Sequence, residues 1–215
     1  MGVHIKRFLC HAGLVLLLYQ AFPARAEALR LLAFGDSLIA GYGLARSEGF
    51  APRLEEALKA RGRDVRVING GVSGDTTAGG LARLGWALAE SPEAALVELG
   101  ANDMLRGLSP EEAERNLGMI LSRFKEKNIP VLLIGMKASA NFGTDYAVRF
   151  DSLYPRLAKQ YGVALYPFFL DGVALNPTLN QDDGLHPNAL GVQEIVRRIL
   201  PFVEGVLARA KAGRS

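Results

Sequence analysis

The sequence predicts a three-layer α/β/α sandwich built around a five-stranded parallel sheet, and three observations support this fold class. Its 215 residues are enough for one domain with a sizeable core. Short apolar runs alternate with longer amphipathic stretches, a pattern typical of α/β proteins. The runs are continuously apolar, as expected for parallel strands buried on both faces. They cover residues 29–34, 65–69, 94–99, 131–136 and 164–168.

The helical segments between these runs have recognisable ends. Ser109 is a good N-cap, Pro110 suits the first helical position, and Glu112 completes a capping box. Gly62 and Gly162 follow two other helical patterns and are expected to end them. The predicted helices cover about residues 49–61, about 109–128, a segment that ends at 161, and about 188–210.

Residues 1–26 have the features of an export signal. Lys6 and Arg7 form a basic start, an apolar stretch is densest at residues 14–18, and Ala-Arg-Ala at 24–26 matches a cleavage site. The alternative is an uncleaved membrane anchor. The apolar stretch is interrupted by His11 and Gln20, and it falls short of the ~20 residues needed to span a bilayer. We therefore expect a signal peptide at 1–26, a domain at 27–215, and a periplasmic or secreted protein with no stable membrane anchor.

The net positive charge of the chain and its single cysteine both come from this first segment. Without Lys6, Arg7 and Arg25, the remaining chain has 22 basic and 22 acidic residues. A balanced charge does not indicate a nucleic-acid partner. The single cysteine, Cys10, also lies in the predicted signal, so the domain has no disulfide and no cysteine or histidine cluster for zinc.

The polar motifs lie where the predicted strands end. In open parallel sheets, ligands bind beyond the carboxyl ends of the strands. The segments that follow the first, second, third and fifth strands are residues 35–37, 70–75, 100–103 and 183–186. These segments are therefore expected at one edge of the sheet, as the components of one site.

Ser37 and His186 predict nucleophilic catalysis. A serine hydroxyl attacks efficiently only when a base removes its proton, and His186 is the only histidine outside residues 1–26. Asp183 lies three residues before His186, where a turn would let its carboxylate orient the imidazole; Asp182 is the competing carboxylate. Alternatively, Ser37 is an ordinary helix N-cap and His186 a structural histidine.

Three groups could bind the negative charge of an acyl-transfer intermediate: the backbone N–H groups of Ser37 and Gly74, and the side-chain amide of Asn102. Glycine at 74 lets the backbone approach a ligand closely. Alternatively, Gly74 serves a tight turn, and Asn102 a helix cap or an Asx turn.

Other strand-end residues allow further hypotheses. An acidic metal pocket could be formed by Asp36, Asp75 and Asp103, although simple loop hydrogen bonding is favoured. Ser73 is a second nucleophile candidate. Its surroundings lack the second glycine of a Gly-x-Ser-x-Gly elbow, which argues against an α/β-hydrolase.

Four sequence blocks, in this order, resemble those of the SGNH (GDSL) hydrolase superfamily, and the resemblance covers about residues 31–206. Ser37, Gly74, Asn102 and His186 match the four letters of the family's name. The branch it resembles most is that of secreted thioesterases, lysophospholipases and arylesterases. The blocks are GDSL at 35–38, SGDTT at 73–77, GANDMLRG at 100–107 and QDDGLHPN at 181–188.

The resemblance implies a catalytic triad of Ser37, Asp183 and His186 and an oxyanion hole formed by Ser37, Gly74 and Asn102. It implies a flavodoxin-like fold and hydrolysis of aryl esters, acyl thioesters or lysophospholipids without metal or cofactor. A monomer or weak oligomer is expected. Residues 136–143 depart from the relatives, which often carry a Leu-Pro pair there, so acyl-chain preference is not carried over.

Three alternatives to this function remain at this stage. A carbohydrate acetylesterase is disfavoured because Trp86 is the only tryptophan and there is no evident aromatic platform for sugars. A non-catalytic periplasmic binding module would keep the fold but not the turnover. A receiver-like phosphoacceptor is disfavoured by the export signal.

Overall fold

The computed structural model describes residues 1–2 and 27–213, and its strands form one parallel sheet. All but the first two residues of the predicted signal peptide, and therefore its cleavage site, lie outside the described residues. The strand order is β2-β1-β3-β4-β5. The strands are β1 (Leu29–Gly35), β2 (Val65–Gly71), β3 (Ala94–Glu98), β4 (Val131–Ile134) and β5 (Ala164–Tyr166).

Two layers of helices cover the sheet. One layer pairs α2 with α7, and the other packs α5 between α3 and α6. The helices are α1 (Ser37–Ala40), α2 (Phe50–Ala60), α3 (Thr77–Ala89), α4 (Ala101–Leu105), α5 (Pro110–Glu126), α6 (Thr144–Tyr161) and α7 (Ala189–Ala212). This arrangement confirms the predicted three-layer α/β/α fold with a five-stranded parallel sheet.

The strands differ in burial according to their place in the sheet. Every residue of β3 and β4 is buried, as the continuous apolar runs predict. For β2 the prediction of burial on both faces is wrong, because Arg66 and Asn69 are exposed. The reason is its edge position, since β2 pairs only with β1 and is packed by α1 and α2.

The start of α5 differs in one detail from the predicted capping box. The Ser109 hydroxyl accepts a hydrogen bond from the Glu112 N–H, and Pro110 occupies the first turn, as expected. The hydroxyl itself, however, donates to the Glu111 carboxylate at 2.6 Å. The acid whose side chain is hydrogen-bonded to the capping residue is therefore Glu111 and not Glu112.

Candidate active site

Ser37 is the first residue of α1, and only Asp36 separates it from the end of the inner strand β1. Asp36, and not Ser37, is the N-cap of this helix, since its Oδ1 accepts the Leu38 N–H at 3.0 Å. The alternative reading of Ser37 as an N-cap is therefore wrong. Its hydroxyl is half-buried and directed toward the loop before α7.

The His186 imidazole bridges Ser37 and Asp183. Its Nε2 lies 2.9 Å from the Ser37 Oγ, and its Nδ1 lies 2.6 Å from Oδ2 of Asp183. The other carboxylate oxygen, Oδ1, accepts the backbone N–H groups of Leu185 at 2.9 Å and His186 at 3.0 Å. The spacing of three residues thus forms a turn in which Asp183 holds both the backbone and the ring of His186, whereas Asp182 makes no hydrogen bond to His186.

The hydrogen bonds of the turn stabilise the charged form of Asp183. Partial burial would raise the pKa of its carboxyl. The N–H groups of His186 and Leu185 and the imidazole outweigh burial and lower this pKa to about 2. The carboxylate is therefore ionised at neutral pH, as a group that orients an imidazole must be.

Tyr42 is a neighbour of His186 that sequence reasoning did not identify. Its ring centroid lies 4.7 Å from that of the imidazole, and the two planes are tilted by 39°. The chain reaches this place because Gly41 takes a left-handed conformation (φ 82°) directly after α1. The short block after Ser37 therefore supplies both the hydroxyl and an aromatic wall for the imidazole.

The three predicted oxyanion donors lie shortly after β1, β2 and β3: Ser37 at the start of α1, Gly74 in a turn, and Asn102 in α4. Among residues 27–213, the N–H groups of Ser37 and Gly74 donate no hydrogen bond, so both remain available to a ligand. Gly74 has a positive φ of 84°, which favours glycine at this turn. The Asn102 side-chain amide donates to Oδ2 of Asp36 at 3.0 Å.

The turn that carries Gly74 is fixed by the segment after α4, since an Arg106 guanidinium N–H donates to the Gly74 carbonyl at 2.7 Å. Ser73, the other nucleophile candidate, is exposed in the same turn. The imidazole faces Ser37 instead. Geometry therefore favours Ser37 over Ser73 as the partner of His186.

The aspartates proposed as a metal pocket bind three different partners. Asp36 pairs with Asn102, and Asp75 pairs with Arg83. Asp103 is buried and accepts both the backbone N–H and the hydroxyl of Thr77. No group of three metal-ligand side chains converges within the part of the chain that the structure describes.

A second buried carboxyl, Glu98, lies beside Asp36. Burial raises the pKa of Asp36 to about 6, against the opposing hydrogen bonds from Leu38, Glu98 and Asn102. Burial first, and then the negative charge of Asp36, raise the pKa of Glu98 well above its ordinary value. Sequence reasoning missed this pair. Its signal was a single acidic residue inside the otherwise apolar run 94–99.

Comparison with known proteins relates this site to a family of hydrolases. Residues 33–194 match the GDSL-like lipase/acylhydrolase family. The chain is 43% identical over 197 residues to "Thioesterase 1/protease 1/lysophospholipase L1" of Escherichia coli K12, covering 91% of this chain and 88% of that protein. It is 42% identical over 176 residues to an arylesterase of Vibrio mimicus, covering 81% and 88%.

The fold has a matching solved structure as well. AlinE4, described as an SGNH-hydrolase family esterase, superimposes with a TM-score of 0.72 at 50% sequence identity, covering 84% of this chain and 97% of its own. Fold and relatives together define the class of protein: an enzyme that hydrolyses carboxylic esters. Within that class, the chain belongs to the GDSL-like lipase/acylhydrolase family.

Proposed function

We propose that the chain is an exported serine esterase that hydrolyses carboxylic esters through an acyl-enzyme. The observation that carries the proposal is the continuous contact from the Ser37 Oγ to the His186 Nε2 at 2.9 Å, and from the His186 Nδ1 to the Asp183 Oδ2 at 2.6 Å. A hydroxyl, an imidazole and an ionised carboxylate in this order can activate a serine for attack.

In the first half-reaction, the Ser37 oxygen attacks the acyl carbon and its proton passes to Nε2 of His186. Asp183 keeps Nδ1 protonated, orients the ring and stabilises the imidazolium. When the tetrahedral intermediate collapses, the bond to the leaving group breaks. The imidazolium then gives its proton to the departing alcohol, phenol or thiol.

In the second half-reaction, His186 removes a proton from water as the water attacks the acyl carbon. The carboxylic acid leaves, and the proton returns to the Ser37 oxygen. In both halves, the developing oxyanion is bound by the N–H groups of Ser37 and Gly74 and by the Asn102 amide. The unpaired state of the two N–H groups supports this role, because such donors need no reorganisation before reaction.

The substrate class follows from the relatives and from the surface around the imidazole. The relatives carry names that indicate aryl esters, acyl thioesters and lysophospholipids. Tyr42, which packs against the imidazole, and Leu185, which precedes His186 in the chain, expose 53% and 51% of their surface, which suits an acyl or aryl group. We propose that one site hydrolyses all three kinds of ester, since they share the acyl carbon and differ in the leaving group.

Residues 136–143 are proposed to border the acyl group. This loop contains a short 3₁₀ helix, Ala140–Phe142, and the Phe142 ring packs on Tyr146 at 5.4 Å between centroids. The Tyr146 hydroxyl in turn donates to the Leu108 carbonyl, close to the end of α4. These contacts connect the loop to the segment that follows α4, the helix that carries Asn102.

Export remains part of the proposal. We propose that residues 1–26 are a cleaved signal peptide, that residues 27–215 form the hydrolase domain, and that the enzyme works in the periplasm or outside the cell as a monomer or weak oligomer. Within residues 1–2 and 27–213, none of the helices combines the length and the apolar composition of a membrane span.

The test is hydrolysis of p-nitrophenyl esters from acetate to palmitate, an acyl thioester and a lysophospholipid. Ser37→Ala is expected to remove nearly all turnover of each substrate while the protein stays folded, and Ser73→Ala to leave turnover nearly unchanged. The fall in rate with chain length measures the acyl site. Appreciable turnover by folded Ser37→Ala protein would contradict the proposal, and no turnover by the native protein would favour a binding module.

A further inference from the structure

Glu98 is a fully buried acid at the carboxyl end of the central strand β3. Its side chain is buried beneath the candidate site and is not exposed at its surface. The Asp36 N–H donates to the Glu98 Oε2 at 3.4 Å, and the negative charge of Asp36 acts on the Glu98 carboxyl. Its other oxygen, Oε1, is buried without a hydrogen-bond donor in the described part of the chain.

The absence of a side chain at Gly35 leaves space for the Glu98 carboxyl. A Cβ at position 35 would lie 2.7 Å from the Glu98 Oε2 and 2.5 Å from the Glu98 carbonyl oxygen. Both distances are too short for a real carbon atom. Glycine at 35 therefore lets the end of β1 approach Glu98, and places Asp36 directly beside its carboxyl.

Two carboxyl groups in one buried space cannot both be ionised at low cost, so one of them holds a proton. Asp36 is the better anion, because its oxygens accept the Leu38 N–H at 3.0 Å and the Asn102 amide at 3.0 Å. Glu98 receives no such pair of donors. The proton therefore belongs on Glu98, whose O–H can then donate to the Asp36 carboxylate.

Other ionisable groups face this pair from the surrounding elements. The imidazole of His186 acts on Asp36 from the loop before α7. Tyr154 of α6 is buried and donates to the Leu99 carbonyl at 3.0 Å. Burial raises the pKa of its hydroxyl well above the ordinary value. The negative charges of the nearby acids add to this effect; these acids are Glu98, Asp103, Asp36 and Asp151.

The positive groups near the pair are the His186 imidazole and the Arg83 guanidinium of α3, which donates to the Gly35 carbonyl at 2.8 Å. Within residues 27–213, neither donates a hydrogen bond to Glu98, so a protonated Glu98 avoids adding a further buried anion.

We propose that Glu98 is a positioning residue: as a neutral acid it donates a hydrogen bond to Asp36, which in turn fixes the start of α1 and the Asn102 side chain. Asp36 reaches α1 through the Leu38 N–H, next to Ser37. One amide hydrogen of Asn102 points to Asp36, leaving the other for the oxyanion. The inference rests on the proposed function, because it assigns Asn102 to the oxyanion.

The first test compares Glu98→Gln with Glu98→Met. Glutamine keeps a hydrogen-bond donor beside Asp36, whereas methionine has similar length and none. We expect kcat to stay within about threefold of the native value in E98Q and to fall at least about tenfold in E98M, with KM changed less than about twofold in both. Native kcat in E98M, or an equal loss in both folded variants, would overturn the proposal.

The second test needs only E98Q and therefore remains decisive if E98M does not fold. Because burial and the charge of Asp36 raise the pKa of Glu98 well above its ordinary value, the native enzyme should lose kcat at alkaline pH as this carboxyl ionises. E98Q has no such proton and should retain kcat there. The infrared carbonyl band of a protonated carboxylic acid should be present in the native protein and absent from E98Q. An identical alkaline profile, or a band that survives the substitution, would overturn the proposal.

Failure of the inference can be distinguished from failure of the proposed function by including Ser37→Ala in the same assays. If turnover does not depend on Ser37, the proposed function is wrong. If turnover depends on Ser37 but neither its rate nor its pH profile responds to Glu98, the positioning role alone is wrong.

Discussion

At the scale of single residues, the candidate site depends on how the imidazole of His186 is held. Asp183 binds the ring nitrogen and also two backbone N–H groups of the turn that carries the histidine. One carboxylate thus fixes the ring and its support together. The Tyr42 ring also packs against the imidazole, with 4.7 Å between the two ring centroids.

Asp183→Asn tests this arrangement. Asparagine keeps the size of the side chain but no longer stabilises an imidazolium, so we expect kcat to fall by about 10⁴-fold, the order of loss typical when the orienting carboxylate of a serine triad is replaced. The matched control is Asp182→Asn, an exposed neighbour, which should keep nearly native kcat. Steady-state hydrolysis of p-nitrophenyl acetate measures both, and equal effects would contradict the assignment of Asp183.

Residues at strand ends could be predicted from the sequence, while buried pairs could not. Ser37 and His186 were placed at one edge by the rule for parallel sheets, and their side chains do meet. Glu98 was hidden within an apolar run, because a single acid hardly changes the pattern of a buried strand. Tyr42 was missed because a contact across the fold leaves no local signal.

At the scale of elements, α3 is hydrogen-bonded to the ends of β1 and β2, the strands that precede Ser37 and Gly74. Its Arg83 donates to the carbonyl oxygens of Gly35 and Gly70, both at 2.8 Å, and pairs with Asp75. The guanidinium also lies over the Phe34 ring, 4.3 Å from its centroid. One side chain therefore joins the end of β1, the end of β2 and the turn before α3.

Arg83→Met should loosen this junction. Losing several charge-assisted hydrogen bonds is expected to lower the free energy of unfolding by about 1–3 kcal/mol and to reduce kcat, because Ser37 and Gly74 follow the two strand ends. Arg123→Met is the control, since its pair with Glu126 on α5 is exposed and should change stability by less than about 0.5 kcal/mol. Urea unfolding compares them, and indistinguishable midpoints would contradict this role.

The sequence predicted the five strands and the helices α2, α5, α6 and α7 better than it predicted their surroundings, while α3 has no predicted counterpart. The five strands and the ends of α5 and α6 lie close to the predicted residues. The order of the strands carries no local signal, so the edge position of β2 became evident only from the structure. For the same reason the exposure of Arg66 and Asn69 was not anticipated.

At the scale of the whole molecule, stability comes from one core beneath the sheet edge that bears the site. Leu96, in the centre of β3, is fully buried, whereas Leu175 is 93% exposed. We expect Leu96→Ala to lower the free energy of unfolding by about 2–5 kcal/mol, because it removes buried apolar surface and leaves a cavity. Leu175→Ala should change it by less than about 0.5 kcal/mol. Urea denaturation with equal midpoints for the two variants would contradict this.

The buried acids should also make stability depend on pH. The pKa of Asp36 rises from about 4 in the unfolded chain to about 6 in the folded one. A raised pKa contributes stability that is present below the unfolded value and lost as pH rises through the folded value. The free energy of unfolding should therefore fall between pH 4 and pH 7, and less so in Asp36→Asn. Parallel urea titrations of both proteins with the same pH slope would contradict this.

The most direct test of Ser37 as the nucleophile is covalent labelling with an activated phosphonate ester, followed by mass analysis of the peptides. We expect one phosphonyl group per chain, on Ser37, with loss of activity in proportion to labelling. Labelling should be much slower in His186→Ala, in which the base is missing. Modification of Ser73, or loss of activity while Ser37 stays unmodified, would contradict the assignment of Ser37 as the nucleophile.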